Sequence, residues 1–353
     1  MTPSCVHKSL TLPTPRPPSS RNEPATHTFM KSPHLPQNLR APTETDALLS
    51  PSSGATSPAP EHYALAWIAL AALCFSFMTI SIRLSVTHFG FSTSASVLLR
   101  SIAHLVLSSM LLVSFVHQSP LNLPPLYLRM LFTRGLFGTV AMVLAFKSLS
   151  YLPAGEACSI FACSPILTMI LSKLVLKETC AVHEVLCALV ALLGVWLIAD
   201  PSTANSNGDQ HVVGALLVLV GALFSAAGYV CVRGMGTRVH FMLSVFALGI
   251  IGTPVTAFLG GREAMHQIVY NRRGTAVMLL GSLSAFCAQT CLNKGLQSSK
   301  AGQGIIMKNL EVPFVYVLAL LVLGEKSSAQ RILGSLLVVC AVAIVGWRSQ
   351  IKS

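Results

Sequence analysis

The sequence predicts an all-α membrane protein of ten transmembrane helices arranged as two inverted five-helix repeats. Three observations predict it. Of 353 residues, 53% are hydrophobic and only 10% charged, too few charges to cover an aqueous surface, so lipid is the solvent for most of the chain. The apolar residues fall into ten runs, each near the roughly 20 residues that a hydrocarbon core ~30 Å thick requires. The chain also repeats itself. Lys147-Ser148-Leu149, Ala154-Gly155, a run containing Pro165, Leu174-Val175-Leu176 and Glu178 return as Lys294-Gly295-Leu296, Ala301-Gly302, a run containing Pro313, Leu321-Val322-Leu323 and Glu325. The offset is about 147 residues, with the prolines slipping by one. Repeated apolar segments are how many transporters are built, because two related halves leave a site between them.

Taken in order, residues 1–62 are polar and hold 12 of the 20 prolines. They read as a disordered cytosolic leader, with too little apolar surface to offset the entropy of folding. They lack the continuous apolar core of ~7–15 residues that a secretory signal needs. The first repeat, 63–199, contains spans 63–82, 92–116, 134–152, 154–174 and 181–199. Residues 200–211 form a linker loop. The second repeat, 212–347, contains spans 212–232, 241–259, 274–293, 302–323 and 329–347, and 348–353 is a short cytosolic tail. Gly214 and Gly221 on the sixth span and Gly249 and Gly252 on the seventh are small residues at helix-packing spacing, which allow close backbone approach in lipid. Similarity continues upstream of the obvious repeat: Ala72-Leu73-Cys74-Phe75-Ser76 before Arg83 resembles Ala222-Leu223-Phe224-Ser225 before Arg233. Five spans per repeat is an odd number, so the second half enters the membrane from the opposite side, the geometry of alternating access around a midplane site.

The formal charge of +12 does not indicate a nucleic-acid partner, since the bases stand singly at the ends of apolar runs rather than in a stripe interleaved with aromatics. They read as topology determinants. With the N-terminus inside, the inner connections and tail collect Arg129, Lys173, Lys177, Arg233, Arg238, Lys294, Lys300, Arg348 and Lys352, while the 200–211 loop has Asp200 and Asp209 and no Lys or Arg. Outer connections hold Arg83, Lys147, Arg262, Arg272, Arg273 and Lys326, so the bias is moderate and favours both termini in the cytosol. The ten cysteines form neither a CxxC nor a metal-ligand pattern, and nothing in the sequence calls for a metal or organic cofactor.

Ten spans in two repeats, each with a proline-containing fourth helix closed by Lys177-Glu178 or Gly324-Glu325, resemble the EamA-type drug/metabolite transporter superfamily. Arg134-Gly135-Leu136-Phe137-Gly138-Thr139 with Ala141-Met142 resembles the third helix of the solute carrier 35 family, G subfamily. Ala301-Gly302, Ile306-Met307-Lys308 and Glu311-Val312 resemble its ninth helix. The resemblance covers about residues 63–347. It implies a ten-helix transporter that does not hydrolyse ATP. It does not carry over the nucleotide-sugar substrates of the wider family, whose motif is absent here.

Ionisable side chains within apolar spans are costly and face a partner, a cavity or the interface. Arg100 and His104 are i,i+4 neighbours on the second span. They read either as an anion-binding face, a planar guanidinium beside a proton-dependent donor, or as a structural pair with Arg100 bonded to a carbonyl or Glu156. Lys308 and Glu311, i,i+3 on the ninth span just before Pro313, either neutralise each other or divide substrate binding and proton coupling. Their pseudo-symmetric positions in the first repeat hold Phe161 and Ser164. Arg134 reads as a span-end residue with a snorkelling side chain or as a third cation of the site. Tyr229, Gln289 and Asn309 are neutral hydrogen-bonding groups that line the cavity or join helices. Glu178 and Glu325 read as scaffold carboxylates that cap neighbouring helices.

Arg100, Arg134 and Lys308 outnumber Glu156 and Glu311, and a low-dielectric cavity of net positive charge favours an anion. The expected function is secondary active transport of a small organic anion, a carboxylated metabolite first, coupled to exchange or to protons. The alternative is a non-transporting regulatory or scaffold protein of the membrane. No catalytic constellation is recognisable, so an enzyme is not expected. In the leader, Glu44 followed by Leu48-Leu49 fits the acidic dileucine sorting pattern. It would present the chain to clathrin adaptors and favours a plasma or endolysosomal membrane, with ER and Golgi left open. A homodimer is a further candidate assembly.

Overall fold

The structure is a computed structural model that describes residues 61–115, 123–148, 151, 157, 160–199, 208–322, 324 and 328–352. The dileucine sequence, Glu156 and Glu325 lie outside the described residues. The helices are α1 (Glu61–Phe89), α2 (Thr93–Phe115), α3 (Pro125–Ser148), α4 (Ser164–Val175), α5 (Val182–Ala199), α6 (Gly208–Met235), α7 (Phe241–Tyr270), α8 (Arg272–Ser298), α9 (Ala301–Lys308), α10 (Glu311–Val322) and α11 (Ala329–Lys352). Among the described residues, eight helical segments are long and apolar enough to cross a membrane, and Ser164–Val175 and Val182–Ile198 are shorter apolar helices. Large apolar side chains on the outside, such as Leu216 and Leu223 on α6, Leu280 on α8 and Leu336 on α11, are about half exposed, as expected of a lipid-facing surface. The chain is an integral membrane protein.

Several helices differ from their expected bounds. α3 begins nine residues before Arg134, because Pro125 stands at the first helical position, where its missing N–H costs nothing. Arg134 is therefore an interior residue, not a span-end one. Residues 208–211 belong to α6 and not to a linker loop, and α11 runs through the expected tail to Lys352. α7 continues past 259 after a kink at Gly260.

The fourth and ninth spans are interrupted rather than continuous. In the ninth, the Asn309, Leu310 and Val312 N–H groups donate to carbonyls three residues back, and the ordinary four-residue bond resumes at Phe314. In the fourth, Cys163 and Ile166 bond three residues back in the same way. The tightened turn precedes proline in both repeats, because Pro165 and Pro313 cannot donate and their rings crowd the preceding turn.

The helix contacts carry the predicted symmetry. Exchanging α1 with α6, α2 with α7, α3 with α8, α4 with α9–α10 and α5 with α11 takes the α1–α8 contact onto α6–α3, α3–α7 onto α8–α2, and α4–α6 onto α9–α1. The contacts α2–α7, α5–α11 and α4–α9 map onto themselves. Small residues set these approaches. A Cβ on Gly194 of α5 would lie 2.6 Å from the Gly334 carbonyl oxygen on α11, and one on Gly334 would lie 2.5 Å from that of Gly194. Gly135 of α3 meets the Ala247 backbone of α7 equally closely.

One end of the bundle is tied by polar bonds. Arg233 at the end of α6 donates through Nε to Glu178 Oε1 at 2.7 Å and through Nη1 to the Gln297 carbonyl at 2.9 Å. The other Glu178 oxygen accepts from Ala301 N, capping α9, and Gln303 Nε2 donates to buried Glu184 at 2.7 Å. Carboxylates at a helix start satisfy orphan N–H groups and complement the helix dipole.

Substituting Gly194 by leucine should force α5 and α11 apart and lower stability by about 1–3 kcal/mol, read as an earlier thermal transition of the detergent-solubilised protein. Gly346→Ala, where the added Cβ meets Met307 at an ordinary 3.5 Å, should leave that transition in place.

Candidate functional site

Arg100, His104, Arg134, Tyr229, Gln289, Lys308 and Glu311 all line one cavity of about 200 Å³. It lies between α2, α3, α6, α8 and the interrupted ninth span, where polar side chains take the place of close helix contacts. Asn309 lines an adjoining cavity of about 270 Å³. The eight residues, scattered over 212 positions of sequence, thus meet in two neighbouring hollows.

The charges are held in two different ways. Lys308 Nζ donates to Glu311 Oε2 at 2.6 Å, with both side chains about one-fifth exposed, and lies 5.0 Å from the centre of the Phe75 ring. Thr79 Oγ1 stands 3.5 Å from the other carboxylate oxygen. Proximity through the tightened turn makes this pair self-neutralising. Arg100 and Arg134 make no ion pair among the described residues. Arg134 is buried, and its Nε has no hydrogen-bond partner there. Its guanidinium is bracketed by two glycines: a Cβ on Gly138 would lie 2.5 Å, and one on Gly228 3.2 Å, from Nη1. Tyr229 offers the face of its ring at 6.0 Å, the outer limit of a cation–π contact.

His104 is buried on α2. Its Nδ1–H donates to the Arg100 carbonyl at 2.7 Å, which leaves Nε2 as a buried acceptor with no partner among the described residues. Thr139 Oγ1 is buried and unpartnered on the same wall. Buried polar atoms in folded proteins are normally bonded. Arg134 Nε, His104 Nε2 and Thr139 Oγ1 are thus three unpartnered buried atoms on residues that line this hollow, each open to a bond from a ligand or water. Gln289 is partly spent on Asn293, to whose Oδ1 it donates at 3.2 Å. Among the described residues, no group of His, Cys, Asp or Glu could hold a metal ion.

Sequence reasoning missed Gly138, Thr139, Ser101, Ser225 and Phe161 as wall residues. Thr139 and Gly138 stand about one turn beyond Arg134, and Ser225 one turn before Tyr229, so a search for polar or small neighbours of each candidate at helical spacing finds them. Phe161 carries no polar signal and enters through the fold alone. Lys294, a span-end cation in the sequence, lies over Trp67 at 3.9 Å and away from the cavity.

The profile of the EamA-like transporter family matches residues 62–199 and 212–347. This chain belongs to the EamA-like transporter family. Its two matched segments are the two five-span halves seen in the helix contacts. It is similar to solute carrier family 35 member G1 of Mus musculus, 27% identical over 53% of each chain. It is likewise similar to the same-named protein of Homo sapiens, 25% identical over 63% of this chain and 64% of that one. The chain thus spans between about half and two thirds of the length of these relatives. The pseudopaline exporter CntI of Pseudomonas aeruginosa is 24% identical over 60% of this chain and 72% of its own. A solved crystal structure of a protein superposes with a TM-score of 0.66 at 17% identity, over 82% of this chain and 99% of that one, a likeness of fold. The family and these relatives are transporters by name, not enzymes.

Replacing Lys308 by methionine should strand the Glu311 carboxylate and cost about 3 kcal/mol. The double variant Lys308→Met/Glu311→Gln should recover most of that loss in thermal unfolding, because a neutral amide needs no counter-charge.

Proposed function

We propose that this chain is a secondary active transporter that carries a small organic anion by alternating access, with a carboxylated metabolite as the favoured substrate and exchange or a proton gradient as the driving force. The observation that carries this reading is the pair of guanidiniums at the central cavity. Lys308 forms an ion pair with Glu311, whereas Arg100 and Arg134 line the hollow and make no ion pair among the described residues, so Glu311, which acts on Arg100 only at longer range, is one described carboxylate for three cations. A cation in a low-dielectric pocket is strongly stabilised by an arriving anion, and guanidinium presents two parallel donors that match a carboxylate or phosphate edge.

Alternating access fits the asymmetry of the bundle. At one end Glu178, Arg233, Gln297 and the start of α9 are bonded together, and Glu184 and Gln303 close the same layer. The second hollow is walled by Ser148 at the finish of α3 and by Val218 in the first half of α6, toward the opposite end. Passage requires the Glu178–Arg233 tie to open. Equal numbers of spans in oppositely directed repeats make the reverse arrangement structurally equivalent. The Lys and Arg bias favours both termini in the cytosol, and with the N-terminus there the acidic dileucine sequence supports a plasma or endolysosomal membrane.

The test is uptake into proteoliposomes from separate pools of organic acids, sugar nucleotides and organic cations, with and without an imposed pH gradient. Uptake confined to anions is expected. Arg100→Ala and Arg134→Ala should each reduce it at least ~30-fold at subsaturating substrate while circular dichroism stays unchanged. Uptake of cations instead, or normal anion uptake by both variants, would end the anion reading. Absence of uptake from every pool would favour a non-transporting membrane protein.

A further inference from the structure

The two neighbouring cavities have different chemistry, and the difference bears on what the substrate looks like beyond its charge. The first holds the cations. The second, about 270 Å³, is walled mainly by Phe146, Phe161, Ala157, Ala162, Val218 and Val312. Ala145, Phe146, Phe161, Lys308 and Glu311 line both, so the two hollows meet at the Lys308–Glu311 pair and the two phenylalanines. At about 200 Å³ the cationic hollow is smaller than the ~300–1,000 Å³ of ordinary small-molecule sites. Joined to its neighbour it reaches that range.

A second observation gives the apolar hollow its own demand. Asn309 stands in the tightened turn of the ninth span, is 7% exposed, and its Nδ2 has no hydrogen-bond partner among the described residues. It lines the second hollow and not the first. An unmade bond from a buried amide donor is costly, and an arriving acceptor removes the cost. The surrounding carbon surface gains by covering an apolar or aromatic group. Val218 is buried against Ala157, Ile160 and Phe161, so the wall is a formed surface of packed side chains.

We propose that the substrate is an amphipathic organic anion. Its carboxylate or phosphate head is held by Arg100 and Arg134. An apolar or aromatic body, bearing one hydrogen-bond acceptor for Asn309, extends past the Lys308–Glu311 pair into the second hollow between Phe146 and Phe161. This rests on the anion reading above and adds the body to the head. It excludes compact, fully polar di- and tricarboxylates as the best substrates, because they would leave the apolar hollow and the Asn309 donor unoccupied.

The experiment is calorimetric binding to the full chain in lipid nanodiscs, with three probes. Succinate is a compact dianion. Hippurate has a carboxylate, an amide oxygen and a phenyl ring. N-benzoylglycinamide is its uncharged counterpart. Hippurate is expected to bind at least about tenfold more tightly than succinate, and the uncharged amide not measurably. Val218→Phe fills the second hollow and should remove the hippurate advantage while leaving succinate affinity within about twofold. Val312→Phe serves the same purpose if the first variant fails to fold. Succinate binding as tightly as hippurate, or a hippurate advantage that survives the filled hollow, would overturn the amphipathic substrate while keeping the anion site. Tighter binding of the uncharged amide, or no binding of either anion, would overturn the anion reading and this inference with it.

Discussion

Helices dissolved in lipid gain nothing from hiding apolar side chains from one another, and the rest of this structure follows from that constraint. Association has to come from close van der Waals contact and from polar bonds, and close contact needs small residues. Gly194 against Gly334, Gly135 against the Ala247 backbone, and Gly249 against Leu105 are among the places where main chains touch. Because the chain is a repeated five-span unit, each of these helix pairs either recurs on the other half or maps onto itself. The bundle is consequently tight along its α5–α11 and α2–α7 seams. A cavity lined by Arg100, Arg134 and Lys308 lies near its centre.

Buried charge is the second organising cost. The chain meets it in one way at the end of the bundle and in another at the centre. At the end, Glu178 is shared between Arg233 and the start of α9, so one carboxylate satisfies a cation and a helix terminus together and joins three helices. At the centre, Lys308 and Glu311 satisfy each other, but the two arginines are left to the cavity. Their lack of an ion pair among the described residues, together with the unpartnered Nε2 of His104 and hydroxyl of Thr139, is what the proposed substrate would satisfy.

The interrupted fourth and ninth spans connect these two regions. Each breaks its helical bonding just before proline, each faces the other through the α4–α9 contact, and the ninth presents Lys308, Asn309 and Glu311 within one turn. An irregular backbone at membrane depth is tolerated where it is buried in protein or lines a cavity. A tightened turn is also a place where two rigid segments can change their angle at small cost, which is what opening the Glu178–Arg233 end would demand of the segment it caps.

The membrane class, the ten spans and the inverted duplication were legible in the sequence, because each depends on one-dimensional quantities: run length, period and parity. The residues of the candidate site were legible for a related reason. Arg100, His104, Lys308 and Glu311 are conspicuous wherever lipid is the solvent, since their cost in hydrocarbon is large. What the sequence could not determine was which charges meet. Lys294 and Arg134 look alike in sequence, each a cation near an apolar run, yet one lies over Trp67 and the other is enclosed between two glycines. That outcome depends on where α3 begins and on which helix lies across from it. Phe161, Val218 and the apolar hollow they help form carry no local signal, because an apolar residue facing lipid and one facing a cavity are chemically identical. Only the packing of one helix against another assigns the difference.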